Sequence, residues 1–134
     1  ARAAGQGDVA IVNSYYIGLV LSSEKEEELN AGRSVSVFFP NQGDRGSHIN
    51  ISGLALAKNS PNKENAIKLM EYLTSEEAQM TYVNNSYEYA AKPNVKPSKI
   101  VQSWGEFKRD NLDLNKLGEF REEALKIFDS TGWK

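Results

Sequence analysis

The sequence predicts an α/β fold in which short strands feed into helices, and three observations predict it. Val9-Ala10-Ile11-Val12 is a compact, β-branched apolar run of the kind found in strands buried on both faces. Apolar residues then recur at helical spacing, first in Ala66, Ile67, Leu69, Met70 and Leu73 and again over residues 114–128. Glycines, prolines and asparagines punctuate the stretches between them, as loops do.

In chain order, Arg2-Ala3-Ala4 reads as the end of a helix, broken by Gly5 and Gly7. Residues 9–12 form the first predicted strand. Asn13 and Ser14 follow as N-cap candidates, and Tyr15-Tyr16-Ile17-Gly18-Leu19-Val20-Leu21 supplies the first turns of a helix. The acidic residues between Glu24 and Glu28 read as its solvated end or a surface turn. Val35-Ser36-Val37-Phe38-Phe39 alternates and closes on Pro40, which predicts a second strand. Residues 41–47 are dense in turn formers, and residues 49–57 predict a strand bent at Gly53. Ser60-Pro61 opens a helix. Thr74-Ser75-Glu76-Glu77 has the capping-box pattern of another, running through Val83 and ended by Asn84-Asn85-Ser86. Pro93 and Pro97 mark an irregular segment. Leu114, Leu117, Arg121, Ala124, Leu125 and Phe128 fit one last amphipathic helix, stopped near Gly132.

Composition narrows the chemistry. With 16 basic against 18 acidic residues the formal charge is -2, so no cationic surplus is available to neutralise a phosphate backbone, and no nucleic-acid partner is expected. Cysteine is absent, which removes disulfides, thiolate zinc sites and cysteine nucleophiles. A single histidine, His48, leaves no two-histidine metal site and no evident Ser-His-Asp relay. Residues 9–21 are too few and too polar to span a bilayer.

Asn13-Ser14-Tyr15-Tyr16 is the most informative constellation, because open α/β sheets bind ligands beyond the carboxyl ends of their strands. A tyrosine ordinarily titrates near about 10, so a phenolate at neutral pH needs a strong positive charge beside it. A hard trivalent cation meets that need and prefers anionic oxygen donors, and tyrosine-ligated haem iron shows that the pairing is open to proteins. The residues alone equally allow two packing rings whose hydroxyls find ordinary partners. His48 reads as a surface or hinge residue or as a ligand, and Arg45 as solvated or as an anion contact. Tyr82, Tyr87, Tyr89 and Trp104 read as packing residues or as the lining of a sugar surface.

The segment Gly7-Asp8-Val9-Ala10-Ile11-Val12-Asn13-Ser14-Tyr15-Tyr16 resembles the bacterial periplasmic ferric-iron-binding proteins, the substrate-binding components of iron(III) ABC transporters. In that family two neighbouring tyrosinates after such a segment hold the iron. The likeness continues at Asn50-Ile51-Ser52-Gly53, through residues 58–66 and in Glu71-Tyr72-Leu73-Thr74-Ser75-Glu76-Glu77-Ala78-Gln79. Tyr87-Glu88-Tyr89 also matches, although Ala90 stands where the family usually has proline.

The resemblance implies the carboxyl-terminal part of a two-lobed type II periplasmic binding protein, with the amino-terminal portion of the same protein as a missing partner. Residues 1–50 and 101–134 would then lie in the carboxyl lobe and residues 51–100 would return to the amino lobe. Carried over residue by residue, Tyr15 and Tyr16 are the metal ligands and Asn13 contacts a synergistic anion. The implied protein is no enzyme: it captures Fe(III) in the periplasm and hands it to an inner-membrane permease. Other classes remain open from the residues: a type II binder of another small anion or organic solute, a carboxylate hydrolase, or an interaction module.

Overall fold

The computed structural model describes residue 5 and residues 7–133, so the predicted helix end at Arg2-Ala3-Ala4 lies outside the described residues. The described elements are seven helices: α1 (Tyr15–Leu21), α2 (Glu26–Arg33), α3 (Lys63–Leu73), α4 (Glu76–Ser86), α5 (Lys99–Gln102), α6 (Asn115–Glu119) and α7 (Arg121–Thr131). The chain divides into two compact units. The first holds Ala1–Phe38 and Asn50–Glu106, the second Phe39–Ile49 and Phe107–Lys134.

No strand forms among the described residues, where one isolated parallel bridge joins Ser47 to Arg109. The predicted strands at residues 9–12, 35–39 and 49–57 are therefore absent, and the structure supplies the helical part of the predicted α/β fold without its sheet. The reason is physical. A helix closes its hydrogen bonds within itself, whereas a strand must find them on a neighbour. No such neighbour flanks residues 9–12 here, so Val9 is 85% and Ile11 84% exposed, the opposite of the predicted burial.

The helices mostly follow their sequence signals. Ser75 caps α4, its hydroxyl accepting from the Ala78 amide at 3.2 Å, one residue later than the pattern begun at Thr74. The helix also outruns its predicted stop. Asn84 and Asn85 donate their side-chain amides to the carbonyls of Met80 and Thr81 at 2.9 and 2.7 Å, so both stay within the helix as far as Ser86. Ser60 donates its amide to the Ala57 carbonyl at 3.1 Å, and that turn delays α3 until after Asn62.

Glu26–Glu28 open a separate helix, α2, where the solvated end of the preceding helix or a surface turn was expected. Glu26, Glu27 and Glu28 occupy its first turn, where carboxylates complement the exposed amides. Glu28 also accepts from the Ser23 hydroxyl at 2.6 Å and pairs with Lys25 at 2.9 Å. The predicted last helix is broken at Phe120 into α6 and α7, and α7 ends on Gly132 at φ 64°, a left-handed stop that glycine adopts freely.

The first unit owns the buried apolar side chains. Val83 of α4 and Val101 of α5 are fully enclosed, with Ala78 and Val95 nearly so. In the second unit Phe39 stacks on Phe107 with centroids 4.1 Å apart. Ser47, also buried, donates its hydroxyl to the Pro40 carbonyl at 2.7 Å, and its backbone joins Lys108 and Asp110 at 2.9 and 2.8 Å.

Candidate functional site

Tyr15 and Tyr16 open α1, directly after the two residues expected to cap it. Ser14 holds the N-cap position with no side-chain cap bond; the turn is closed instead by the backbone. The Asn13 carbonyl accepts from the Tyr16 amide at 3.2 Å and the Ser14 carbonyl from the Ile17 amide at 3.0 Å. Asn13 is exposed, Tyr15 half-buried and Tyr16 52% exposed.

Adjacent residues on a helix diverge by about 100°, yet these two rings lean together. Their centroids are 4.4 Å apart and their planes tilted by 41°. The phenols also interact: a hydrogen bond with Tyr15 holds the Tyr16 hydroxyl above the usual tyrosine value, with charge repulsion from Tyr15 and slight desolvation adding to it. Ionising both would place two negative charges side by side, which a cation between them would relieve.

Two glycine contacts hold α1. Gly18, its buried residue, lies against Tyr87, the C-cap of α4; a Cβ built on Gly18 would stand 2.3 Å from the Tyr87 Cβ. Toward the end of α1, a Cβ on Gly32 of α2 would come within 3.0 Å of Leu21 and 3.1 Å of Val20. Glycine at both points leaves room for the neighbouring side chains against the helix backbone. Sequence reading missed both contacts. The available signal was Gly18, which interrupts the apolar run of the first predicted helix.

The other candidates are scattered. His48 is exposed beside the buried Ser47, and among the described residues no three His, Asp or Glu side chains gather as a metal cluster. Arg45 pairs with Asp110 at 3.5 Å instead of facing solvent alone. Of the aromatic residues weighed as a sugar surface, Tyr82 donates to the Glu88 carboxylate, which raises its phenol above the ordinary value. Tyr87 is taken up by Gly18, and Trp104 borders a cavity of about 260 Å³ with Ile17, Leu21 and Gly32. These rings serve different contacts.

Residues 3–109 match the family model of bacterial extracellular solute-binding proteins. The chain belongs to that family. Within it, the chain is similar to the iron uptake protein A1 of Synechocystis sp., with 43% identity over 134 residues, 100% of this chain and 37% of that protein. Among solved structures it is similar to the Trichodesmium IdiA/FutA protein in complex with iron and citrate ligands. The TM-score is 0.93 at 42% identity, covering 98% of this chain and 42% of the other. The ferric binding protein from Campylobacter jejuni gives 0.91 at 39% identity, with the same coverage of 98% and 42%. The resemblance read from residues 7–16 thus extends over the chain, which spans about two-fifths of the length of these relatives.

Proposed function

We propose that this chain is part of a solute-binding protein that captures ferric iron in the periplasm and passes it to an inner-membrane ABC permease, without catalysing a reaction. Tyr15 and Tyr16 are the metal ligands and Asn13 contacts a synergistic anion, within part of a type II fold. The observation that carries the reading is the leaning pair of phenols, 4.4 Å between centroids, on a helix held at Gly18 and at Val20 and Leu21. The likeness to an iron- and citrate-loaded protein over 98% of the chain supports it.

The chemistry follows from charge. In the metal-free protein Tyr16 is a neutral phenol bonded to Tyr15. Arrival of Fe(III) displaces a proton from each hydroxyl, and the two phenolates offset most of the ion's charge. Iron(III) takes about six hard donors. The two phenolates leave the remaining positions to an anion, to water and to parts of the protein outside this chain. Closure of the lobes then excludes solvent, a motion periplasmic binders share. Titration with a ferric chelate tests the reading: a visible phenolate-to-iron charge-transfer band is expected, with weak affinity for this chain alone. An affinity equal to that of a full-length relative would show that donors beyond this chain are unnecessary.

The raised Tyr16 phenol favours one second reading, capture of another small anion with both hydroxyls as neutral donors. That protein would bind its ligand without any visible band.

A further inference from the structure

Tyr87 has a backbone conformation that bulky residues avoid. It caps α4 at φ 58°, in the left-handed region where glycine or asparagine usually ends a helix. Asn84 and Asn85 stand only a few residues earlier, yet both are spent inside the helix on Met80 and Thr81. A strained aromatic cap persists where its surroundings over-determine it. Here the surrounding is Gly18, whose missing side chain makes the space the Tyr87 ring occupies.

Gly18 follows Tyr15 by three residues, so the two share one face of α1. The Tyr87 ring therefore presses on the face that carries Tyr15, and Tyr15 in turn is the surface on which Tyr16 leans. The Gly32 contact with Val20 and Leu21 fixes the far end of the same helix. We propose that Tyr87, seated on Gly18, is a positioning residue that sets the rotation of α1 and thereby the mutual geometry of the Tyr15–Tyr16 pair.

The role as an iron-site positioner rests on the function proposed above, but the geometric claim is testable without metal. Tyr87→Gly removes the ring and leaves the left-handed cap unstrained; Tyr87→Phe keeps the ring. In the metal-free protein the ring-to-ring nuclear Overhauser cross-peak between Tyr15 and Tyr16 is expected to vanish in Tyr87→Gly and to return in Tyr87→Phe. With iron, the charge-transfer band is expected to shift in Tyr87→Gly and affinity to fall about ten- to a hundredfold, as for other groups that orient metal ligands, with Tyr87→Phe restoring both. Far-ultraviolet circular dichroism confirms that each variant is folded. Should Tyr87→Gly fail to fold, Tyr87→Asn, which also tolerates the left-handed cap, takes its place with the same expectation. A wild-type cross-peak in the folded variant overturns the proposal, and so does an unshifted band at wild-type affinity. Absence of any band in the unaltered protein would instead contradict the iron reading, leaving the metal-free cross-peak to decide the role of Tyr87.

Discussion

Residues 9–12 and α1 are neighbours in sequence and differ in almost everything else. Helix α1 satisfies its own backbone, seats Gly18 against Tyr87 and packs Val20 and Leu21 on Gly32. The residues just before it are more apolar per position, yet Val9 and Ile11 stand in solvent. Hydrophobicity alone does not bury a segment. A helix arrives with its polar groups paired and needs only a surface to lie on, while a strand needs a partner for every amide before its side chains are worth burying. The candidate iron ligands sit at the junction of these two regimes.

The largest effect that would sharpen this contrast is expected at the junction itself. Tyr16 is held above the ordinary tyrosine value, so its phenol is neutral at pH 7, and its proposed coordination to iron would release that proton. Affinity therefore rises with pH below the phenol range, by up to about tenfold per unit for each proton released and about a hundredfold per unit if both hydroxyls ionise. Competition with citrate at pH 6.5 and 7.5, corrected for protonation of citrate, reads the slope. A flat profile would mean that the phenols do not ionise.

Stability separates the two regions next. Val101 is enclosed, and Val101→Ala is expected to cost about 2 kcal/mol by leaving a cavity. Val9→Ala, at an exposed site, should change stability by less than about 0.5 kcal/mol. Thermal or urea unfolding compares them, and equal losses would show that residues 9–12 pack after all. A smaller difference is expected between two helix starts. Ser75→Ala removes a cap bond and should cost about 1 kcal/mol, whereas Ser14 makes no such bond and Ser14→Ala should cost only a few tenths. Matching losses would mean that Ser14 caps α1 in solution.

The same difference governs what could be read from the sequence. Helices α1, α3 and α4 were legible because their apolar spacing lies within each segment. Of their expected caps, only the one at the start of α4 forms, and α4 outruns its expected stop. Helix α2 was obscured by its charge: a run of glutamates resembles a solvated turn unless their fit to a helix's first turn is weighed. The break at Phe120 was announced only by Gly118, a weak helix former that the apolar spacing of residues 114–128 outweighed. The strands were misjudged because β-branched patterning describes a preference that only a neighbour can satisfy. Tyr15 and Tyr16 were legible as chain neighbours. The Gly18–Tyr87 contact was not, since residues so far apart in sequence meet only through the packing of α1 against α4.

The central claim is that Tyr15 and Tyr16 hold ferric iron as phenolates. Titration of the Tyr15→Phe, Tyr16→Phe double variant with a ferric chelate, beside the unaltered chain, tests it most directly. The account predicts a visible charge-transfer band in the unaltered chain and none in the folded double variant. A band that survives both substitutions would place the iron elsewhere and contradict the assignment.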